Sequence, residues 1–149
     1  MKTRRPSSVV HASIVGLVLR LVTVGVSSTA VRAETLDIMA ISAASGPAQT
    51  DSALRDLLPL LRRHLPNYTA FKLLDRRAVG LPTEAQRVSL AGRLTVHCQG
   101  SSQRLSLTVA DRDRVIVHTQ VSLRVDVPLV FAGVPNRDGI LALAVVLRR

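Results

Sequence analysis

Aromatic side chains are scarce in this sequence of 149 residues, which has two Phe, one Tyr and no Trp. RNA-binding sheets hold unpaired bases by stacking them on aromatic rings. Tyr68 and Phe71 both lie close to the end of the helix predicted below, and the strands predicted after them carry almost no aromatic residues. This scarcity argues against nucleic-acid recognition.

Cysteine is nearly absent as well. Cys98 is the single thiol, so no disulfide can form within the chain and the fold must rest on its hydrophobic core. It follows Leu94 and Val96 in an alternating apolar register, which predicts a small buried hydrophobic residue. The alternatives are a reactive thiol or a bridge between two chains, but no activating pattern surrounds Cys98.

The motifs of common enzyme classes are missing. No serine lies in a nucleophile-elbow pattern, and neither Gly46 nor Gly133 belongs to a phosphate-binding loop. Asp111 and Asp113 flank a predicted turn and are typical of turn formers, not of a paired general acid and base. We therefore expect a protein that is not an enzyme and has no catalytic residues.

Metal-ligating residues do not converge in the predicted register. His97 and His118 can meet across strands, but Cys98 follows His97 directly and its side chain points to the opposite face of a strand. A zinc site needs at least three protein ligands. The sequence therefore predicts no metal site, and we expect no cofactor.

Acidic residues are outnumbered: the chain has 20 basic and 10 acidic residues, a formal net charge of +10. No acidic residue precedes Glu34. Five of the basic residues do: Lys2, Arg4, Arg5, Arg20 and Arg32. The remainder carries 15 basic and 10 acidic residues, a net charge of +5. This excess favours solubility and loose affinity for anions, not dedicated nucleic-acid binding.

The N-terminal residues have three regions in the order of a secretory signal. Residues 1–11 are basic, residues 12–26 are mostly apolar, and the small residues of SSTAVRA follow. This order predicts a signal peptide over residues 1–33, cleaved before Glu34, and a single domain over residues 34–149. We expect a periplasmic or secreted protein that meets the membrane only through this signal during export.

Two features of this segment leave alternatives open. Cleavage after Ala30 also satisfies the small-residue rule, as cleavage after Ala33 does. Arg20 interrupts the apolar run, which disfavours a membrane span more strongly than a signal, because a mid-membrane Arg costs roughly 2.5–3.5 kcal/mol. An uncleaved anchor and a misplaced start codon are the remaining alternatives.

A strand and a helix are predicted at the start of the exported domain. Leu36–Ser42 is apolar on both faces, which predicts a strand in the interior of a sheet. A helix follows from Thr50 or Asp51 to Leu65, with a single stripe of leucines at positions 54, 57, 58, 61 and 65. Pro59 either kinks this helix or marks its first turn if the helix begins late.

Short alternating segments fill the rest of the chain. They predict strands over 68–75, 86–90, 93–98, 104–110, 114–125, 129–133 and from residue 140 onward, with a loop over 76–85 and a hairpin turn at 111–113. The last strand is apolar on both faces and is expected to lie centrally. The predicted fold is therefore α+β, with the leucine-striped helix packed on one face of an antiparallel, meander-rich β-sheet.

Alternation also predicts what the other face of that sheet displays. If the leucines and valines of the later strands point at the helix, Val115 and Val117 among them, a polar set points away from it. Ile116 would be the apolar exception among outward residues. The basic members of the polar set are the candidate binding residues: Arg93, His97, Arg104, Arg114, His118 and Arg124. The other interpretation is an ordinary solvated face.

The chain resembles a group of small secreted bacterial proteins that carry no assigned activity. The resemblance covers nearly the whole exported domain through AISAAS, a leucine helix opened by an acidic residue, VSLAGRLTV and NRDGILALAV. Pro59 and the short segment Leu129–Gly133 depart from the pattern. The resemblance implies export and a compact fold, and it provides no catalytic residues.

These observations favour a non-enzymatic module of the cell envelope that interacts with an anionic envelope component or another protein. One alternative is a small periplasmic hydrolase or ligand-binding protein whose site is built from loops, with RRAVGLPTEA and VPNRDG as the candidates. Another is a component that adds a strand to its partner at an uncovered sheet edge.

Overall fold

The structure is a computed structural model, and it describes residues 33–149. Within that range the chain forms a 3₁₀ turn at Ser52–Leu54, one α-helix and nine β-strands. Their bounds are β1 Glu34–Ala44, β2 Gln49–Thr50, α1 Leu58–His64, β3 Ala70–Leu81, β4 Thr83–Leu90, β5 Leu94–Ser101, β6 Arg104–Asp111, β7 Arg114–Val121, β8 Leu129–Asn136 and β9 Gly139–Arg148.

The strands form two sheets, which corrects the α+β prediction of one sheet covered by a helix. A five-stranded sheet has the order β2-β3-β1-β9-β8, and a four-stranded sheet has the order β4-β5-β6-β7. All the pairings are antiparallel except the short one between β2 and β3. The fold is mostly β, and the helix has only seven residues. The interior positions predicted for the first and last strands are confirmed, since β1 and β9 are neighbours in the middle of the larger sheet.

The main core lies between the two sheets. Leu36 and Ile38 of β1 are fully buried there, together with Leu105 and Leu107 of β6. The same core takes in Leu94, Val96 and Cys98 of β5. The leucines and valines of the later strands therefore face another sheet and not the helix, contrary to the sequence prediction.

A second core lies on the other face of the five-stranded sheet. Residues 39, 41 and 43 of β1 point to that side, and Leu54, Leu57, Leu61 and Leu65 cover them together with Phe71. Four of the five leucines in the predicted stripe are thus buried, and Leu58 is partly buried against the same core. The helix begins late, and Pro59 lies in its first turn, which confirms that alternative over a kink.

The predicted loop over residues 76–85 is wrong, because most of it is strand. Along β3, Arg77 is paired with Ile38, and Val79 is paired with Leu36 and fully buried. Pro82 alone separates β3 from β4, so the chain passes there from the larger sheet to the smaller one. Long-range pairing with β1 gives this polar, glycine-containing segment its extended structure.

The hairpin turns follow the turn residues of the sequence. Asp111 and Arg114 are paired, and Arg112 between them has a φ of 54°. Asn136 and Gly139 are paired at the next tight turn. No helix within residues 33–149 is long and apolar enough to cross a membrane. The signal peptide predicted over residues 1–33 lies, apart from Ala33, outside the described residues.

Candidate interaction surface

The outer face of the four-stranded sheet is a polar surface that points away from the inter-sheet core. Strand pairing aligns its side chains in rows, because residues paired across neighbouring strands point to the same side. We call this surface the polar face, and it is formed by Arg87, Ser89, Thr95, His97, Gln99, Ser106, Thr108, His118 and Gln120.

One row crosses all four strands at the middle of the polar face. Arg87 of β4 is paired with His97 of β5, which is paired with Thr108 of β6, which is paired with His118 of β7. Thr108 Oγ1 and His118 Nδ1 lie 2.7 Å apart and share a hydrogen bond. His97 and His118 lie on the two strands that flank Thr108, with their backbones about 10 Å apart at roughly 4.8 Å per strand spacing.

An ion pair lies at the end of the four-stranded sheet near Asp111, which is paired with the buried Leu94 and so has the register of the core side. Arg93 Nη2 donates to Asp111 Oδ2 at 2.8 Å, and its Nε donates to Oδ1 at 2.5 Å. The hydrogen bonds from Arg93 lower the pKa of Asp111, and the charges of Arg93, Arg112 and Arg114 add to this effect. Arg93 is therefore held by a carboxylate, and its capacity to bind another anion is reduced.

The six candidate binding residues do not converge on a single point. His97 and His118 lie in the middle row of the polar face. Arg93 and Arg114 lie at the Asp111 end, whereas Arg104 is paired with Ser101 at the opposite end. Arg124 lies beyond the end of β7 at Val121, in the connection to β8. The structure thus distributes the predicted basic set over a sheet face and its margins.

Sequence reasoning missed the part of the polar face that β4 contributes. Arg87 is exposed and Ser89 is paired with Thr95, but neither was a candidate because the partner of β4 was unknown. The alternation of Val88 and Leu90 was the available signal, since both side chains point inward and leave their neighbours outward.

A β-bulge corrects the predicted orientation of the residues that begin β7. The register shifts between Val109 and Ala110, so Val115 is paired with Ala110. Val115 is 58% exposed and does not belong to the core. Ile116, the predicted apolar exception among the outward residues, is 41% exposed, and it also borders a small void beside Phe131.

The edges of the two sheets differ in how they are protected. The outer strand β8 contains Pro135 and a bulge between Ala132 and Val134, which both discourage pairing with another strand. The outer strand β7 has no proline, and Val115 and Ile116 are exposed on it. Strand β7 is therefore the more open edge for the strand-addition alternative.

The hydrolase alternative requires histidine and aspartate side chains that converge in one pocket, and His97, Asp111 and Asp138 do not line the same pocket. Asp138 lines a cavity of about 430 Å³ at one end of the larger sheet, whereas His97 and Asp111 lie on the smaller sheet. Among residues 33–149, no group of three or more His, Cys, Asp or Glu side chains is placed to hold a metal ion.

No protein-family model, curated protein or solved structure matches this chain. The resemblance to small secreted bacterial proteins therefore stays a prediction.

Proposed function

We propose that the protein is an exported, non-enzymatic binding domain of the cell envelope that docks an anionic polymer or an acidic partner on its polar face. One observation carries the proposal: an entire sheet face, turned away from the core, displays Arg87, His97 and His118 in a single row. The opposite face of the larger sheet is by contrast covered by the leucine-striped helix.

The charges on and around the polar face favour an anion. Arg87, Arg104 and Arg114 are exposed and form no ion pair within residues 33–149. Of the nearby acids, Asp111 is held by Arg93, Asp113 is exposed in the turn directly before Arg114, and Glu84 lies in the irregular part of β4. Basic groups spread over a flat face suit an extended partner with repeated negative charges, and such binding weakens as salt screens it.

The chemistry of the polar face supports binding in preference to catalysis. Thr108 and His118 form a hydroxyl–imidazole pair. A catalytic hydroxyl nucleophile also needs an imidazole beside it, as its general base. Within residues 33–149 no carboxylate bonds to His118 to orient it, and the pair lies on an open sheet face that does not exclude water. Hydroxyl, amide and imidazole groups at such a face serve as hydrogen-bond partners for a ligand.

The test compares two variants of equal net charge. The first variant, R87E/R104E/R114E, reverses three charges on and beside the polar face. The second variant, R55E/R62E/R63E, reverses three charges in the helical segment, where all three arginines are exposed. Fluorescence anisotropy with labelled polyphosphate and polyglutamate at low and at physiological salt measures affinity. We expect the first variant to lose about tenfold or more in affinity and the second to lose much less, since only close charges act strongly through salt. Equal losses would show that net charge, and not this face, governs binding.

Export has its own test, because the proposal rests on residues 1–33 being a signal. Mass spectrometry of the protein recovered from the envelope or the medium should give a mature N-terminus at Glu34 or Val31. A full-length chain that is retained in the cytoplasm would overturn the proposed location.

Strand addition is the second candidate, because exposed apolar residues lie on an unpaired edge. Val115 and Ile116 are 58% and 41% exposed on β7. If a partner protein pairs with this edge, V115T/I116K should abolish its capture while R87E/R104E/R114E retains it. The opposite pattern supports the polar face.

A further inference from the structure

One cavity beside the five-stranded sheet lies where the inter-sheet core ends. Its volume is about 430 Å³, and Ser42, Thr50, Asp51, Ala70, Lys72 and Asp138 are among its lining residues. On β1 the core reaches Ala40, and Ser42 follows on the same side of the strand. A cavity of this size suits a small molecule.

Strand pairing separates the charged groups across the cavity. Ser42 is paired with Lys72, so Lys72 lies on β3, between β2 and the central strand β1. Asp51 follows β2 on one side, where its N–H donates to Phe71 O at 3.0 Å. Asp138 precedes Gly139, which is paired with Ala44 on the other side. The two acids therefore lie about three strand spacings apart, roughly 14 Å between backbones, with Lys72 between them.

The walls of the cavity are held by hydrogen bonds. Thr69 N donates to Ala44 O at 3.0 Å, and Thr69 Oγ1 donates to Gly46 O at 2.6 Å. Asp51 Oδ1 accepts from Ala53 N at 3.1 Å, which fixes the carboxylate and leaves its second oxygen for a ligand. A site formed in advance loses less entropy when a ligand binds.

The charges that line the cavity define the ligand that complements it. One ammonium and two carboxylates call for one anionic group near the centre and a cationic group toward each wall. A single lysine without an arginine fits a carboxylate better than a phosphate, since phosphate sites commonly use several cationic or backbone donors. We propose that this cavity binds a free dibasic amino acid, with the carboxylate at Lys72 and the two amino groups toward Asp51 and Asp138.

Four probes that differ by one group test the proposal. Lysine carries all three groups, norleucine lacks the side-chain amine, 6-aminohexanoate lacks the α-amine, and cadaverine lacks the carboxylate. Calorimetric titration of the full chain should give lysine an affinity at least about tenfold above each of the others, because each loss leaves a charged group of the site unpaired. Equal affinity for all four probes, or no heat with lysine at millimolar concentration, would overturn the proposal.

Variants assign each group to its partner. K72M should remove the advantage of lysine over cadaverine, and D138N should remove its advantage over one of the two mono-amines. D56N changes an exposed acid of the segment before the helix that does not line the cavity and should bind lysine as the parent does. Retained discrimination in both K72M and D138N would refute the site.

A second measurement does not depend on how the variants fold. Lysine added to the parent protein should shift the amide NMR signals of Thr50, Lys72 and Gly139 and leave those of His97 and His118 unchanged. Shifts confined to the polar face would place the ligand elsewhere and overturn the inference. Because R87E/R104E/R114E leaves the cavity intact, its lysine binding should equal that of the parent whether or not the polar face binds anions.

Discussion

Asp37 of β1 accepts two hydrogen bonds from the guanidinium of Arg76 on β3, with 2.7 Å between Arg76 Nε and Asp37 Oδ1. The Asp37 side chain is only 5% exposed, whereas that of Arg76 is 55% exposed. A carboxylate on a central strand is thus neutralised by an arginine that still contacts water. Removing the arginine alone costs stability, because the buried carboxylate of Asp37 is then left without a partner.

R76A should therefore destabilise the protein by about 2 kcal/mol, less than a fully buried pair would lose because water reaches the vacated site. R77A is the matched control, since the Arg77 side chain is also 55% exposed but makes only two long contacts, at 3.5 Å with Asp75 and at 3.4 Å with Ser89 O. R77A should lower the free energy of unfolding by less than about 1 kcal/mol. Urea denaturation measures both free energies of unfolding, and equal losses would contradict the role assigned to Asp37.

The thiol of Cys98 should be unreactive in the folded protein. Cys98 is 1% exposed, and burial raises its pKa to about 11. Thiol reagents should label it only when the structure opens, so that the labelling rate rises with urea in parallel with unfolding. Fast labelling of the folded protein at neutral pH would show that the inter-sheet core is open at β5.

The same thiol makes stability depend on alkaline pH. A cysteine in the unfolded chain ionises near pH 8.5, whereas the folded pKa is about 11. The unfolded state therefore loses its proton first, and the free energy of unfolding should fall as the pH rises between these two values. C98A should remove this part of the pH dependence. An unchanged slope in C98A would assign the effect to other groups.

Glycine is required at residue 139 because two strands approach closely there. A Cβ on Gly139 would meet the backbone oxygen of Ala43 far inside van der Waals contact, whereas a Cβ on Gly80 of β3 would meet no atom within 4 Å. G139A should cost about 1–3 kcal/mol, and G80A should change stability by less than about 1 kcal/mol. Thermal and urea unfolding of the two variants check this, and a tolerated G139A would mean that the β8–β9 turn adjusts freely.

Ion pairing at Asp111 predicts a loss of stability in acid. The hydrogen bonds from Arg93 lower the pKa of Asp111, so its contribution is present above the unfolded pKa near 3.9 and disappears as the pH falls below it. R93Q should raise the pKa of Asp111 in an NMR titration and flatten the acid side of the stability profile. R87Q, on the same face but without that partner, should change neither.

Several elements of the fold follow from local sequence patterns. Alternation alone located β5, β6 and β7, and the turn residues around Asp111 and Gly139 located two hairpins. The leucine stripe identified the face that α1 buries, and the register of Cys98 predicted its burial. These features depend on neighbours in the chain, whose side chains alternate with a fixed period.

The candidate surface was only partly predictable. His97 and His118 could be assigned to one outward face, but Arg87 could not join them until β4 was paired with β5. The bulge at Ala110 reversed the expected direction of Val115, because one extra residue on one strand changes the phase of everything beyond it. The cavity that contains Lys72 and Asp138 was invisible in the sequence, since these two residues are 66 positions apart along the chain.

The sequence by itself determined which residues are buried together along β5 and β6, where the hairpins at Asp111 and Gly139 turn, and that α1 has one apolar side. Only the tertiary structure decided what covers those apolar faces: a second sheet for the later strands, and the helix for the far side of the first sheet. The reason is that the hydrophobic effect has no direction. Alternation predicts that one face of a strand is buried, and any apolar surface of the right shape can cover that face.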